Sequence, residues 1–169
     1  MNLYLDHHSN PMQESQIIGE YEISIDAKGR LMLPSVLRKQ LPANSQEKLI
    51  VNRGFEKHIY IYPIDEWEKI ALELSKLNQY VRDHRELVRY ILRGATPVPI
   101  DSTGRMLIPK TLLDYSGIQK DAVLIGNINK IEMWSKSEYD KLYADDSNDI
   151  SKLAEKVMGN RYGGGFSLS

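Results

Sequence analysis

From Gly19 to Ile25 hydrophobic and polar positions alternate. Tyr21, Ile23 and Ile25 fall on one side and Glu20, Glu22 and Ser24 on the other, the period of a half-buried strand. The alternation runs into Asp26-Ala27-Lys28-Gly29, where glycine supplies the positive φ that a β-carbon resists and Asp26 can accept hydrogen bonds from the N–H groups of its own turn. Arg30 to Leu33 predicts a second, short strand. Pro34 stops it and suits the first turn of a helix, in which Val36, Leu37 and Leu41 make two turns ended by Pro42. After a loop over 43–46, strands are predicted over 48–52 and 59–62. Trp67, Ile70, Ala71, Leu74 and Leu77 then recur at helical spacing as one buried stripe. A second helix follows Asn78, with Val81, Val88, Ile91 and Leu92 on its apolar side and Gly94 at its close.

Then the pattern restarts. Residues 96–100 predict a strand that Pro97 and Pro99 confine to an edge or to the start of pairing. Asp101-Ser102-Thr103-Gly104-Arg105-Met106-Leu107-Ile108-Pro109 repeats the stretch from Asp26 to Pro34 at an offset of 75 positions. Leu112 and Leu113 mark the short helix, 122–126 and 131–134 a hairpin, and Ser135 opens a helix carrying Tyr139, Leu142 and Tyr143. Ile59-Tyr60-Ile61-Tyr62 matches Ile131-Glu132-Met133-Trp134 at an offset of 72, so three residues are missing from the second copy, expected in the loop near Pro42 to Gln46. The predicted organisation is an arm over 1–15, a first repeat with its helix over 16–77, a linking helix over 78–95, a second repeat over 96–144, and a short helix with a glycine-rich tail over 145–169. Neither half has enough strand to close a core alone. The expected fold is therefore an α+β barrel to which both repeats contribute, with the two charged turns near each other about a pseudo-two-fold axis.

Composition narrows the chemistry. There is no cysteine, which removes disulfides and thiolate sites, and no apolar run nears the roughly 20 residues of a membrane span. Residues 1–15 lack the apolar centre of a secretory signal, so a cytoplasmic protein is expected. A formal net charge of −1 gives no global attraction to nucleic acid, so such binding needs a local cluster of cations or a patch multiplied by oligomerisation. His7-His8 stands without further ligands at metal spacing, and Gly163-Gly164-Gly165 lacks the lysine of a phosphate loop. With no Ser/His/Asp arrangement either, neither an enzyme nor a cofactor, metal or small-molecule substrate is expected.

The repeated turn is where chemistry concentrates. Asp26 can pin Arg30, limiting its rotamers, and arginine is the side chain that reads guanine O6 and N7 bidentately, while lysine serves as a phosphate contact. Lys28, Arg30, Arg38 and Lys39 make a cationic cluster at the first copy. The second offers Arg105 and Lys110, with Thr103 where the lysine would stand. Arg82, Arg85, Arg89 and Arg93 share a side of the linking helix, either as a solvated face or as a second contact surface. From the residues alone three readings stay open: DNA contact, a turn kept for structure in duplicated halves, and a protein–protein interaction module.

Tyr21 to Pro34, Asp101 to Pro109 and Val123 to Trp134 resemble the MraZ family, over a span from about Ile18 to Leu142. The resemblance implies a swapped-hairpin (double-split) β-barrel related to AbrB-type regulators, built from two internal repeats with flanking and linking helices. It also implies a ring-shaped homo-oligomer and a nucleoid-associated transcriptional regulator, usually a repressor, that binds double-stranded DNA at short direct repeats in the promoter of the division and cell-wall gene cluster. By position, the family's DNA-contacting residues map to Asp26, Lys28, Gly29 and Arg30, and to Asp101, Gly104 and Arg105.

Overall fold

A computed structural model describes residues 16–144 and 150–159. The expectations for the arm, the acidic stretch 145–149 and the glycine-rich tail lie outside the described residues. Eight strands and six helices follow one another there in the order β1 (Ile17–Ser24), β2 (Arg30–Met32), α1 (Ser35–Gln40), β3 (Lys48–Arg53), β4 (His58–Tyr62), α2 (Ile64–Ser75), α3 (Arg82–Leu92), β5 (Thr96–Pro99), β6 (Arg105–Leu107), α4 (Lys110–Ser116), β7 (Asp121–Ile128), β8 (Lys130–Ser135), α5 (Lys136–Leu142) and α6 (Ile150–Met158). None of these helices is long and apolar enough to cross a membrane.

The strands interleave the two repeats. One antiparallel sheet has the order β1-β7-β8-β4-β3-β5, and β2 pairs separately with β6. Each repeat thus lends its first strand to the other: β1 pairs with β7 and β5 with β3, while β2·β6 and β4·β8 lie across the pseudo-two-fold. This is the swapped arrangement, but among the described residues the ladder does not close into a barrel. The strands form an open six-stranded sheet and a two-stranded ribbon instead. The tight turns at Asp26 and Asp101 carry the chain out of the sheet just after Ile25 and Ile100, whose N–H groups make the last ladder bonds, to Lys120 and Glu47 carbonyls at 2.7 Å each.

Register also places the missing residues. In β3·β4, Val51 faces Ile61, and in β7·β8 Leu124 faces Met133. Val51 and Leu124 stand 73 positions apart, so two residues are lost before β7 and only the third in the hairpin itself. That hairpin turns tightly through Ile128, which adopts a φ of 62°. The core is duplicated in the same way: Ile25 and Ile100, Leu31 and Met106, Leu33 and Ile108, Leu37 and Leu112, Ile59 and Ile131 are all buried in one cluster.

The helices between the repeats pack less tightly than their periodicity predicts. Of the α2 stripe only Leu74 is buried, and α3 buries no residue. Polar ties add to this half-buried packing. The Ile64 N–H donates to the buried Ser45 hydroxyl at 2.8 Å, and the Asn52 side-chain amide donates to the Ile91 carbonyl at 2.6 Å. Leu72, Leu87, Tyr90 and Leu92 are left exposed. Beyond Lys136 the chain forms a second compact unit. Within it the Tyr139 and Tyr143 rings meet edge-on at 5.1 Å.

One buried group is expected to confer acid sensitivity. His58 is only 3% exposed, stacks on Trp134 at 4.3 Å and lies against Gly54, where a β-carbon would come within 2.3 Å of the ring. Neither ring nitrogen has a partner among the described residues. Burial pushes its pKa below the usual histidine value, outweighing the nearby Glu132 and Glu56 carboxylates that pull it up. The unfolded chain therefore takes up the proton first, so His58 lowers stability as pH falls below about 6.5 and has no such effect above it. Denaturant unfolding at pH 7.5 and pH 5 is expected to show a smaller acid loss for His58→Phe than for wild type; equal losses would exclude His58 as the cause.

Candidate nucleic-acid interface

Each copy of the charged turn closes on its own aspartate. Asp26 Oδ1 accepts the N–H groups of Lys28 and Arg30 at 2.9 Å each, and Oδ2 accepts Arg30 Nε at 2.7 Å. Asp101 does the same for Thr103 and Arg105, at 2.9, 2.9 and 3.0 Å. Backbone bonds are also repeated: Gly29 N–H reaches the Asp26 carbonyl at 2.9 Å, and Gly104 N–H the Asp101 carbonyl at 3.0 Å. Both glycines hold positive φ, 86° and 89°. A β-carbon at Gly29 would lie 3.1 Å from the Ile108 carbonyl oxygen, so the turn needs glycine for space as well as for φ.

These bonds hold both carboxyls below their ordinary range. For Asp26 the main cause is the Arg30 N–H, followed by the Arg30 side chain. For Asp101 the largest is the Thr103 hydroxyl, which donates to Oδ1 at 2.7 Å. Both acids are charged at neutral pH, and the order they impose on the turns is lost only as pH falls through these depressed values.

The two turns form one unit. In the β2·β6 ribbon Arg30 faces Leu107, Leu31 faces Met106 and Met32 faces Arg105. The ribbon is extended at each end by the other turn's glycine: the Leu33 N–H donates to the Gly104 carbonyl and the Ile108 N–H to the Gly29 carbonyl, both at 2.9 Å. Leu31 and Met106 point into the core, each 1% exposed, which leaves Arg30, Met32, Arg105 and Leu107 on the outward face. The two arginines sit on a diagonal of this face, with backbones roughly 7–8 Å apart.

Pinning through Nε leaves the Nη1 and Nη2 atoms of both arginines without a partner among the described residues, and these are the atoms that make an end-on bidentate contact. Of the cations expected around them, Lys28 is exposed and unpaired among the described residues. Arg38 is engaged instead, donating through Nε and Nη2 to the Gln46 carbonyl at 3.3 and 3.1 Å, and Lys110 pairs with Asp114 at 2.8 Å. The cluster is therefore smaller than the sequence predicts. On the linking helix Arg82 pairs with Glu86 at 2.7 Å and Arg85 donates to the Gln79 carbonyl at 2.8 Å, so half of that arginine face is tied locally. All seven residues singled out from the sequence, Asp26, Lys28, Gly29, Arg30, Asp101, Gly104 and Arg105, lie in this ribbon and its turns. Met32 and Leu107 were not among them; simple alternation outward from Arg30 and Arg105 is the signal that finds them.

Fold and site define a class: a duplicated, swapped-hairpin protein that presents one aspartate-pinned arginine turn per repeat on a shared ribbon. The chain belongs to the MraZ family. The model of that family, described as "MraZ protein, putative antitoxin-like", matches it twice, over residues 17–90 and 91–161. Relatives bearing the name Transcriptional regulator MraZ include those of Christiangramia forsetii, 40% identical over 145 residues (85% of this chain, 94% of the relative), and Flavobacterium psychrophilum, 41% identical over 145 residues (85% and 92%). A third, from Clostridium tetani, is 39% identical over 140 residues (83% and 95%).

Proposed function

We propose that this protein is a transcription regulator that binds double-stranded DNA sequence-specifically through the β2·β6 ribbon, with Asp26, Lys28, Gly29 and Arg30 forming one contact turn and Asp101, Gly104 and Arg105 the other. The observation that carries this reading is the pair of arginines held by their aspartates on the outward face of one ribbon, with both Nη atoms of each lacking a partner among the described residues. A two-stranded ribbon fits the major groove, where Nη1 and Nη2 can take guanine O6 and N7, and Met32 and Leu107 have the apolar character that meets a thymine methyl. The names of the relatives support a regulator of transcription. Within these contact turns Asp26 and Asp101 also set the arginines, each holding one by its Nε.

The protein acts as a repressor on short direct repeats in the promoter of the division and cell-wall gene cluster, in the nucleoid, as a ring-shaped homo-oligomer. A net charge of −1 makes a single ribbon a weak DNA ligand, and repeating it around a ring matches a repeated operator by multivalency. The exposed apolar side chains of α2 and α3 support self-association. Sedimentation at micromolar concentration is expected to give a multiple of 19.4 kDa, and a monomer would overturn the ring.

The two turns contribute unequally. Lys28 reaches outward, whereas its counterpart Thr103 is folded back onto Asp101. Lys28→Ala is expected to weaken binding to all sequences alike and to lower the salt slope by about 1 for each site engaged. Thr103→Lys is expected to raise both. Affinities measured at several salt concentrations on specific and random duplexes check this; an unchanged slope for Lys28→Ala would remove lysine from the interface. Selecting bound fragments from the organism's genomic DNA tests the target itself.

A further inference from the structure

The two edges of the six-stranded sheet are counterparts in the duplication, yet only one is sealed. β1 forms one edge and β5 the other. In an antiparallel pair alternate N–H groups face the partner and the rest face away. On β1 the Ile25 N–H continues the ladder to Lys120, while the Ile18 N–H turns out to the Gln40 side chain at 2.8 Å. The even-numbered N–H groups therefore point away from the sheet. Their counterparts, 75 positions on, are Arg93, Ala95, Pro97 and Pro99. Arg93 and Ala95 donate back to the last turn of α3, to the Tyr90 and Leu92 carbonyls at 3.4 and 3.1 Å, and the prolines have no N–H. Every outward donor of the β5 edge is thus bonded or absent.

On β1, Glu20, Glu22 and Ser24 keep outward N–H groups that have no partner among the described residues, in a strand of 8 residues. Such an edge is a template for another strand, and proteins usually blunt it. Among the described residues this edge is blunted at its ends, where Gln40 takes the Ile18 N–H and the Asp26 N–H bonds the Arg30 carbonyl at 2.9 Å, and between them only by the charge of the exposed Glu20 and Glu22. A second copy fits poorly. Its β5 edge offers no outward donors, and pairing β1 with β1 in the registers of fullest overlap sets Glu20 or Glu22 against the same carboxylates. The acidic side chains attract cations instead, as Lys136 shows by lying 3.7 Å from Glu22. On the other face the strand presents half-buried Tyr21 and Ile23, packed against the core and open to further cover.

We propose that β1 is a strand-addition site for an extended segment of a partner protein in which Lys or Arg alternates with apolar residues. The basic side chains meet Glu20 and Glu22, the apolar ones extend over Tyr21 and Ile23, and the backbone bonds to the free edge give affinity. The partner is thereby brought to the strand that leads into the Asp26 turn.

The test uses the full chain and an end-blocked peptide of alternating valine and lysine, matched in length to β1. Saturable binding is expected, reduced about tenfold or more by methylating the peptide's bonding N–H groups or by Glu22→Pro, which copies the seal at Pro97. Ser24→Pro, copying Pro99, serves if Glu22→Pro does not fold. Glu22→Lys should weaken the valine–lysine peptide and favour one with glutamate in place of lysine. No binding by wild type, equal binding by Glu22→Pro and Ser24→Pro, or a change in oligomeric state on sealing the edge would overturn the proposal, the last by assigning the edge to a second copy.

Discussion

Arg30→Ala is expected to cost about 1–3 kcal/mol of specific DNA affinity for each base that Arg30 reads and to relax preference at those positions, with little change in binding to random duplex. The separation of effects follows from geometry. Arg30 is braced at Nε by Asp26, so its Nη atoms are presented in one orientation and little rotamer entropy is lost on binding. Removing it deletes a directional pair of hydrogen bonds, whereas removing Lys28 deletes a charge. Arg30→Lys is expected to recover little, because an ammonium can neither bond Asp26 through Nε nor offer the planar fork. Asp26→Asn should give an intermediate loss, since the turn keeps an acceptor but the guanidinium loses its charged brace. Affinities for a specific duplex and a scrambled one, measured side by side for the three variants, separate these outcomes.

Leu31→Ala is expected to have the largest effect on stability, about 2–5 kcal/mol in denaturant unfolding. Leu31 is 1% exposed and faces Met106 at the centre of the ribbon, on the side opposite the arginines. A cavity there loosens β2 and β6 together, and with them both turns, because each turn's glycine carbonyl is bonded to the other strand. DNA affinity should therefore fall for a residue that never touches DNA, and Met106→Ala should act in the same way. If either variant unfolds like wild type, the ribbon is not anchored through this pair.

Much of this was legible in the sequence because the repeat is written in residues with few alternative uses. Glycine at positive φ, an aspartate three positions before it and a proline five after define the same turn twice, and the structure reproduces it bond for bond. Alternation marked β1, and the match between 59–62 and 131–134 marked β4 and β8 as counterparts. What the pattern could not show was which strand partners which beyond that symmetry. The departure of the chain from the sheet at Asp26 and Asp101, and with it the open sheet, depends on ladder bonds made by Ile25 and Ile100 to distant carbonyls. Helical periodicity at Trp67 to Leu77 marks an apolar face but not what covers it, and most of that face is only half-buried in one chain. The engagement of Arg38 by Gln46 and of Thr103 by Asp101 was likewise invisible, since both depend on side-chain geometry and not on spacing.

The most direct measurement is a double-variant cycle on the two arginines, with specific and random duplexes titrated against wild type, Arg30→Ala, Arg105→Ala and the double variant, and each protein checked for fold and assembly. If the ribbon reads DNA through both turns, the double variant stays folded and assembled but binds the specific duplex no better than the random one. A folded double variant that binds the specific site as tightly as wild type would contradict the assignment of this ribbon as the DNA-reading surface.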